Sequence, residues 1–334
     1  MIKIGVFGFG YWGPNLVRNF FATPGCEVRR VVDVNPERLK KSKLLYPTID
    51  TSSDTAAILE DTDIDAVVIA LPISFHYEIA KEALLNGKHV LLEKPMTRLK
   101  SQARELIDIA SDKGKILMVD HTFLYTGAVR KIKEIVSRGE LGNIRYFDST
   151  RINLGLFQSD MNVIWDLAPH DISILLHLVD AFPQSVIATG ISHTGNDLEN
   201  LAYLTLSFES NMVAHFTSSW TSPVKIRQIL IGGTKKMIVY DDVEPTEKVK
   251  VYDTGFEVRS EEEKNKILVD YRVGDIYIPK IDNREALKGV AEDFVAAVDR
   301  GAEPVSNWKS GLDVVTILEA AEQSIKNRGR EVLL

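Results

Sequence analysis

The stretch Gly5 to Asn15, "GVFGFGYWGPN", places three glycines in the order G-x-G-x-x-G directly after an apolar strand pattern. A helical pattern follows, so the glycines stand where a backbone could approach a pyrophosphate at a helix N-terminus. Pro14 suits an early helical position, which has no intrahelical amide bond to lose. The stretch predicts a dinucleotide-binding βα unit; the alternative is a tight strand–helix turn that binds nothing.

An acidic residue farther along supports the dinucleotide interpretation. Asp33 ends the second predicted strand, 20 residues after Gly13. A carboxylate there can accept both hydroxyls of the adenosine ribose and would repel a 2′-phosphate, which favours NAD over NADP. Arg29, Arg30 and Arg38 keep NADP open as the less favoured cofactor, because an arginine near the ribose could offset that repulsion.

The first third of the chain alternates short apolar strands with amphipathic helical patterns. The predicted strands are "IKIGVFG", "EVRRVVD", "DAVVIAL", "KHVLLE" and "KILMVD". Two of the intervening helices, "HYEIAKEALLNGK" and "LKSQARELIDIASDKGK", should end near Gly87 and Gly114. Repeated βαβ units predict an α/β fold with a doubly wound parallel sheet, a dinucleotide-binding Rossmann domain over residues 1–122.

The pattern changes after about residue 123. A helix over 125–138 precedes the long strand "NIRYFDSTRINL" and the helical "WDLAPHDISILLHLV". Later elements are two hairpins, with turns near Ser210 and Asn211 and at Gly232 and Gly233, a solvated loop or edge region over 254–281, and helices over 283–300 and 308–327. Residues 123–334 are therefore predicted to form a second, α+β domain with a large and mainly antiparallel sheet.

The segment "KHVLLEKPMT", residues 88–97, leads from an apolar strand into Glu93, Lys94 and Pro95. The strand pattern is that of a strand buried on both faces, so these three residues should emerge at the carboxyl edge of the sheet, where open α/β sheets bind ligands. Proline fixes its own φ and disfavours a helical conformation before it, so Lys94 should be held in an extended conformation. The residues alone leave a surface Lys-Pro turn as the alternative.

A second constellation lies in "WDLAPHDISILLHLV", where Asp166 and His170 are four residues apart and so share a helix face. A histidine can take a hydroxyl proton near neutral pH, and a carboxylate one turn away can orient it and stabilise the imidazolium. A surface pair or a helix cap remains the alternative, and Asp171 is a second candidate for the carboxylate. The other histidines have no metal-binding spacing, so no metal site is predicted.

The composition narrows the classes of partner. The chain has 334 residues, 45% of them hydrophobic and 26% charged, and a formal net charge of −7 without a block of Lys or Arg. Nucleic-acid and polybasic membrane surfaces are therefore not expected, and small molecules are the expected partners. We see no signal peptide, no apolar run of membrane-spanning length and no second cysteine beside Cys26, so a cytoplasmic protein is predicted.

Three segments, "GVFGFGYWG", "VVIALPISFHYEIAKEALLNGKHVLLEKPM" and "WDLAPHDISIL", together resemble the Gfo/Idh/MocA oxidoreductases, the family of glucose-fructose oxidoreductase and inositol dehydrogenase. The tail "EPVSNWKSGLDVVTILEAAEQSIKNRGREV" is similar to the family's closing helix, so the resemblance covers nearly the whole chain. It implies that the domain over residues 123–334 serves substrate binding and oligomerisation, with an open-faced sheet, and that the chain forms a homodimer or homotetramer. One departure is "DHTFLYTGAV", where the family often has an Asn- and Arg-rich segment, so contacts from His121 and Thr122 are less secure.

The resemblance also implies roles for individual residues. Lys94 would be catalytic beside the nicotinamide, with Glu93 and Pro95 holding it, a cis peptide being one way to do so. Asp166 and His170 match the family's Asp-x-x-x-His, which supplies the proton acceptor in the inositol dehydrogenase branch. The residues expected at the cofactor are Gly8, Phe9, Gly10, Tyr11, Trp12, Gly13, Asp33, Val34, Asn35, Ala70, Leu71, Pro72, His76, Glu93, Lys94 and His121. Those expected at the substrate are Lys94, Arg151, Asn153, Trp165, Asp166 and His170.

The implied activity is that of an NAD-dependent dehydrogenase acting on a sugar or polyol. Alternatives are an inositol or free-sugar dehydrogenase, a deoxysugar ketoreductase and, in another class, a non-catalytic NAD-sensing protein. The Trp-Asp-Leu and Pro-His-Asp runs resemble the family branch that modifies nucleotide sugars, so the expected substrate is a UDP-sugar that reacts at the ring's third carbon. Its diphosphate would need polar anchors, for which the candidates are Arg151, Asn153, Lys225 and Arg227.

Overall fold

The computed structural model describes residues 1–155, 157–158, 160–195, 197–257, 270–272 and 274–334. This described chain divides into two compact units, one of Met1–Tyr125 with Arg284–Glu319 and the other of Thr126–Asn283 with Ala320–Leu334. The sequence analysis instead assigned the whole tail to the second domain. Residues Arg284–Glu319 join the first unit through contacts that no local pattern reveals, such as the edge-to-face packing of Phe294 on Phe20 with ring centroids 6.0 Å apart.

The first unit contains a six-stranded sheet. Its strands are β1 (Ile2–Phe7), β2 (Cys26–Val32), β3 (Asp50–Ser52), β4 (Ala66–Ile69), β5 (His89–Glu93) and β6 (Leu117–Asp120), in the spatial order β3-β2-β1-β4-β5-β6. Every pairing is parallel, which confirms the predicted doubly wound sheet. The order reverses between β1 and β4, and this switch point is where such sheets bind ligands. Only the three-residue edge strand β3 was not predicted.

The central strands of this sheet are buried on both faces. Val90, Leu91 and Leu92 of β5 have no exposed surface, as their uninterrupted apolar pattern predicted. The side chains that follow β5 therefore leave the sheet at its carboxyl edge.

The helices match the predicted positions to within a few residues. They are α1 (Gly13–Ala22), α2 (Pro36–Leu45), α3 (Ala56–Leu59), α4 (His76–Leu85), α5 (Lys100–Asp112), α6 (Gly127–Ser137), α7 (Val163–Leu178), α8 (Ala286–Arg300) and α9 (Trp308–Lys326). Gly87 and Gly114 follow α4 and α5 with φ of +74° and +60°, the left-handed conformation that ends a helix. Among the described residues, none of these helices has the length and apolarity needed to cross a membrane.

The second unit contains a nine-stranded, mainly antiparallel sheet, as predicted. The strands are β7 (Ile144–Leu154), β8 (Ser185–Ile191), β9 (Leu201–Ser207), β10 (Val213–Ser219), β11 (Thr221–Gly233), β12 (Met237–Asp241), β13 (Val249–Tyr252), β14 (Gly255–Glu257), β15 (Asp270–Arg272), β16 (Ile276–Tyr277) and β17 (Val332–Leu333). The order is β16-β13-β12-β11-β7-β10-β9-β8-β17, and β14 pairs separately with β15. Among the described pairings of this nine-stranded sheet, only that of β7 with β10, at its centre, is parallel.

Both predicted hairpins are present, with one difference. β9 and β10 pair antiparallel about the predicted turn. In the second hairpin Gly232 is still paired, with Met237, so the turn lies just after the glycines. A Cβ on Gly233 would lie 2.2 Å from Leu141 O, so this glycine is needed for close packing rather than for the turn.

The two faces of this sheet differ in burial. On one face Ala202, Leu204 and Leu206 alternate inward, and α7 packs against β7, β9 and β10. On the other face the side chains of Ile187, Tyr203 and Val213 are partly exposed in the single chain, which fits the open face that the family resemblance implied.

The region predicted as a solvated loop or edge, 254–281, contains short strands. Of these, β16 pairs with β13 at the edge of the sheet. Residues 258–269 and 273 of that prediction lie outside the described residues.

Candidate active site

The glycine loop joins β1 to α1, and its glycines serve different purposes. Gly8 has a φ of +93°, and a Cβ there would lie 2.3 Å from Ala70 O. A Cβ on Gly13 would lie 2.1 Å from Gly8 O. On Gly10, however, the nearest atom to a Cβ would be Arg38 Nη1 at 3.5 Å, an ordinary contact. Packing therefore accounts for Gly8 and Gly13, whereas the bare backbone at Gly10 suits a ligand that approaches it closely.

The N-terminus of α1 is open beside this loop. Trp12, at the N-cap position, makes no capping hydrogen bond through its side chain, and the first turn contains no acidic residue. The amide groups at a helix N-terminus and the helix dipole both favour an anion. The loop and the helix together fit the pyrophosphate of a dinucleotide.

Asp33 locks the end of β2 to the glycine loop. Its Oδ2 accepts the Phe9 N–H at 2.7 Å, and its Oδ1 accepts the Asn35 N–H at 2.8 Å. Arg38 Nη1 lies 3.5 Å from Oδ2. Since a carboxylate oxygen has two lone pairs, Oδ1 keeps one for a ribose hydroxyl. The carboxylate can therefore support the loop and bind a ligand.

The remaining residues expected near the dinucleotide surround this loop in different environments. Phe9 is buried, whereas Tyr11 and Val34 are exposed over 92% and 84% of their surface. The Asn35 side chain caps α2 by accepting the N–H groups of Glu37 and Arg38. Ala70, Leu71 and Pro72 follow β4, the strand next to β1, and are not buried.

Lys94 follows β5 in an unusual turn. The Lys94–Pro95 peptide is cis, the form that the family resemblance had suggested. The Lys94 N–H donates to Glu93 Oε2 at 3.2 Å. The proline and this bond hold the lysine at the carboxyl edge of the parallel sheet.

Two carboxyl groups lie beside this lysine. Glu93 and Asp120 are register partners in the neighbouring strands β5 and β6. Burial raises the pKa of Glu93 well above its usual range, and the adjacent Asp120 raises it further, while Lys94 opposes both. Burial also raises the pKa of Asp120, against the Thr122 hydroxyl, Glu93, Trp12 and Lys94, which lower it. Because both pKa values are raised, Glu93 and Asp120 together tend to retain a proton.

Two histidines complete the surroundings of Lys94. His121 is 1% exposed, and within the described chain neither ring nitrogen makes a hydrogen bond. Burial, with Lys94 adding to it, lowers the pKa of His121 to about 3, so this imidazole is neutral at neutral pH. The ring nitrogens of His76 lie 2.9 Å from Pro95 O and 2.8 Å from Leu71 O. His76 is buried, so its geometry favours positioning the Lys94 loop over the predicted contact with the cofactor.

The tail braces the end of β6, a feature that the sequence analysis missed. Ser306 is fully buried and donates through Oγ to Val119 O. Its N–H donates to the Tyr125 hydroxyl at 3.2 Å, and that hydroxyl donates to Asp293 Oδ2 at 2.7 Å. These partners are separated by more than 160 residues of chain, so no local pattern could have revealed them.

In the second unit, α7 presents Asp166 and His170 on one face. Both are partly exposed, whereas the intervening residues 167–169 are buried. Asp166 Oδ2 accepts the indole N–H of Trp220 at 3.1 Å, which orients the carboxylate. The Asn162 side chain begins the helix by accepting the Trp165 N–H at 3.2 Å.

Asp171 has a different role from Asp166. Arg151 Nε and Nη2 donate to its two carboxylate oxygens at 2.8 Å and 2.6 Å. Both side chains are 3% exposed. Asp171 therefore belongs to a buried bidentate ion pair between α7 and β7, and Asp166 is the carboxylate that shares the accessible face with His170.

The residues predicted to contact the substrate differ in burial. Arg151 is held in the buried ion pair, and Trp165 is 2% exposed with its indole N–H donating to Glu322 Oε2 at 2.9 Å. Neither side chain can reach a substrate without rearrangement. Arg227 is engaged by Asp242 at 3.4 Å, which leaves Asn153, partly exposed, and Lys225, exposed, as the accessible candidates for a diphosphate.

The described residues contain no group of three or more His, Cys, Asp or Glu side chains that could hold a metal ion. The side chains of the two groups of residues offer the chemistry of Lys94 with its neighbouring carboxyls and that of Asp166 with His170.

Comparison with known proteins agrees with this geometry. Residues 2–121 match an oxidoreductase family with an NAD-binding Rossmann fold, and residues 129–239 match the Gfo/Idh/MocA C-terminal domain. A levoglucosan dehydrogenase of Pseudarthrobacter phenanthrenivorans is 28% identical over 57% of this chain and 55% of its own length. A dTDP-3,4-didehydro-2,6-dideoxy-α-D-glucose 3-reductase of Streptomyces violaceoruber is 37% identical over 38% of this chain and 36% of its own.

A solved structure shows the same fold over the whole chain. The UDP-N-acetylglucosamine 3-dehydrogenase of Acidithiobacillus ferrooxidans superposes with a TM-score of 0.82 at 22% identity, over 98% of each chain. The two family matches together span well over half of the sequence and include both the glycine loop and the Asp-x-x-x-His helix. This chain is therefore an NAD-binding oxidoreductase of the Gfo/Idh/MocA family.

Proposed function

We propose that this protein is an NAD-dependent dehydrogenase or reductase that interconverts a hydroxyl and a ketone on a nucleotide-linked hexose, at the ring's third carbon. The observation that carries the enzymatic part is the environment of Lys94. A cation held at the carboxyl edge of an NAD-binding sheet, beside two buried carboxyls and a neutral histidine, is a costly arrangement. An NAD-sensing protein without chemistry would have no physical use for it.

The residues divide the chemistry between them. NAD, when bound, accepts or supplies the hydride. Lys94 donates a hydrogen bond to the reacting oxygen and stabilises the negative charge that develops on it. His170 takes the hydroxyl proton during oxidation and returns it during reduction, with Asp166 orienting the ring one helical turn away.

The nucleotide-sugar part of the proposal is supported by two of the similar proteins. The Streptomyces and Acidithiobacillus proteins are named for reactions of nucleotide sugars at the third position, whereas the Pseudarthrobacter protein is named for an anhydrosugar. In this chain Asn153 and Lys225 lie on the neighbouring strands β7 and β11, beside the irregularity in pairing between Thr221 and Ile226. An exposed ammonium and an amide on neighbouring strands suit a diphosphate.

A substrate panel tests the proposal. We would follow NADH with UDP-N-acetylglucosamine, UDP-glucose, N-acetylglucosamine, glucose and myo-inositol at matched concentrations. If the diphosphate supplies binding energy, kcat/KM should be highest for a UDP-sugar. A higher kcat/KM for a free sugar or for myo-inositol would instead favour the free-sugar or inositol alternative.

A variant that lacks the Lys225 ammonium tests the diphosphate contact separately. Lys225→Ala should raise KM for the UDP-sugar by about tenfold, the loss of one charged hydrogen bond, without changing kcat/KM for a free sugar. Lys288→Ala removes an exposed lysine from α8 and serves as the matched control. An equal effect of the two variants would remove Lys225 from the proposed site.

We also propose that the chain forms a homodimer or homotetramer through the open face of the nine-stranded sheet. Ile187, Tyr203 and Val213 are exposed there over 39%, 44% and 43% of their surface. A contact between copies of the chain would cover this apolar area. Light scattering of wild type and of Tyr203→Glu tests this: the charged variant should dissociate, and a monomeric wild type would refute it.

A further inference from the structure

The end of the parallel sheet contains two acidic side chains that must interact directly. Glu93 and Asp120 are register partners on adjacent parallel strands, so their side chains point to the same side of the sheet. Asp120 is 1% exposed. Each carboxyl group acts on the pKa of the other, as expected of register partners that face the same side of the sheet. An ionised carboxylate can only accept, so a hydrogen bond between the two requires a proton on one of them.

The other contacts of the pair show where that proton belongs. Asp120 Oδ1 accepts the Thr122 hydroxyl at 2.7 Å, and Glu93 Oε2 accepts the Lys94 N–H at 3.2 Å. The second oxygen of each group, Asp120 Oδ2 and Glu93 Oε1, is buried and receives no conventional donor from the described chain. Each carboxyl thus has one oxygen with a close donor and one that a shared proton would satisfy, with Trp12 as a further donor on the Asp120 side.

We propose that Glu93 and Asp120 share one proton and act as a singly charged positioning pair for Lys94. The proton lies on Glu93 and is donated to Asp120, which remains ionised. One negative charge then stands beside the Lys94 side chain and helps to position it at the edge of the sheet. This deepens the proposed function, since it rests on Lys94 as the group that acts on the substrate oxygen.

The groups that act on the two carboxyls or lie beside Lys94 include two histidines and Trp12. Lys94 is the cation whose charge acts on both carboxyls, and it also acts on His76 and His121. His121 is neutral because burial lowers its pKa to about 3. Burial also lowers the pKa of His76, against hydrogen bonds to the carbonyls of Leu71 and Pro95, which raise it. Trp12, in the glycine loop, acts on Asp120 as a neutral donor. A second ionised carboxyl would place like charges in contact, which explains why one proton is retained.

The pair makes a distinctive prediction for amide variants. In Glu93→Gln the new amide donates to the Asp120 carboxylate, and in Asp120→Asn it donates to the Glu93 carboxylate, so each variant keeps one hydrogen bond and one negative charge. The double variant keeps no charge. Its kcat/KM should fall at least about tenfold below the product of the two single effects, because coupled groups do not behave additively.

Exposed carboxyls provide the matched control. Glu82→Gln on α4 and Asp112→Asn at the end of α5 make the same chemical changes at exposed positions of the same unit. Their double variant should be additive. Additive effects at Glu93 and Asp120 would overturn the positioning role, because two independent groups would not compensate for each other.

Infrared spectroscopy tests the shared proton without any turnover. Wild type at pH 7 should show the carbonyl stretch of a protonated carboxylic acid, which exposed carboxyls with their ordinary pKa values cannot give at that pH. The band should be lost in Glu93→Gln and retained in Glu82→Gln. A wild type without this band would overturn the proposal. Because no substrate is involved, a wrong choice of substrate affects the sugar panel and leaves this result intact.

Discussion

Both units bury charged side chains, but they do so in opposite ways. In the second unit Arg151 and Asp171 carry opposite charges and form two short hydrogen bonds at 2.8 Å and 2.6 Å. In the first unit Glu93 and Asp120 are both acids, and one oxygen of each lacks a conventional donor within the described chain. Burial raises the pKa of each of these two acids. The ion pair is satisfied by its own two side chains, whereas the acid pair needs a proton as well.

This difference separates a buried pair that stabilises packing from a buried pair whose protonation can serve a site. A buried bidentate ion pair needs no ligand to be satisfied, so its presence marks the packing of α7 on β7 rather than a site. Buried acids that repel one another cost stability, and such groups persist where their shifted protonation is useful. Burial of charge is therefore weak evidence of function until the partners of the charge are known.

The largest expected effect comes from breaking the satisfied pair. Asp171→Ala leaves the Arg151 guanidinium buried without its countercharge and should lower the free energy of unfolding by about 3–5 kcal/mol. Urea denaturation measures this. The double variant Arg151→Met with Asp171→Leu removes both charges and should recover most of the loss. A loss below about 1 kcal/mol in the single variant, the range of surface pairs, would show that the pair contributes little.

The next effect concerns catalysis rather than stability. Lys94→Ala and His170→Ala should each lower kcat by about a hundredfold or more, while the affinity for NAD changes little. Asp166→Asn should cost less if the aspartate only orients the histidine. Steady-state kinetics with the best sugar of the panel measures this, and Lys288→Ala is the control. Full activity of Lys94→Ala would refute its catalytic assignment.

A region could be predicted from the sequence when the residues that determine its structure are close together in the chain. The glycine loop, the Glu-Lys-Pro turn and the Asp-x-x-x-His helix are each encoded within a few consecutive residues, so their elements could be predicted. The doubly wound sheet follows from repeated βαβ patterns, and only β3, three residues long, escaped prediction.

The features that could not be predicted depend on contacts between residues that are far apart in the chain. The choice between Asp166 and Asp171 is decided by Arg151, 20 residues from Asp171, and by Trp220, 54 residues from Asp166. Arg151 was predicted as a diphosphate anchor because an arginine on a strand has no local sign of a buried countercharge. Ser306 and its bond to Val119 O were missed for the same reason, since the two lie 187 residues apart.

A smaller effect is expected at the cofactor. Asp33→Ala removes the acceptor of the Phe9 N–H at 2.7 Å and the expected ribose contact, so the Kd for NAD should rise about tenfold or more. The Kd for NADP should change less, because the carboxylate no longer opposes a 2′-phosphate. Fluorescence titration with both cofactors measures the gap, and Asp112→Asn is the control. Equal affinities for NAD and NADP in the wild type would contradict the predicted preference.

The smallest effect is a dependence of stability on pH, and its sign distinguishes buried histidines from the buried acids. Burial lowers the pKa of His89 to about 4, with Lys115 adding to it. Its Nδ1 accepts the Ile116 N–H at 3.0 Å, which requires the unprotonated nitrogen. In the second unit, burial likewise lowers the pKa of His177 to about 4, with Lys133 adding to it.

For these histidines the unfolded chain binds more protons than the folded chain between about pH 6.5 and pH 4. Their contribution to stability is therefore complete above pH 6.5 and is lost as the pH falls toward 4. Glu93 behaves in the opposite way: its pKa is raised, so its protonated form stabilises the fold at low pH, and that contribution is lost as the pH rises through its folded pKa. Between about pH 7 and pH 5, these histidines should therefore lower stability on acidification, whereas Glu93 should not.

We therefore expect urea midpoints to fall between about pH 7 and pH 5, and to fall less in His89→Asn and His177→Asn than in the wild type. One fully linked proton gives a slope of at most ~1.4 kcal/mol per pH unit, and both side chains are partly exposed, so each effect should be smaller than that. Glu82→Gln, at an exposed position, should keep the wild-type slope. If His89→Asn leaves the slope unchanged, the bond to the Ile116 N–H does not determine which form of His89 the fold favours. The pH dependence of stability would then not distinguish His89 from the acids of the first unit.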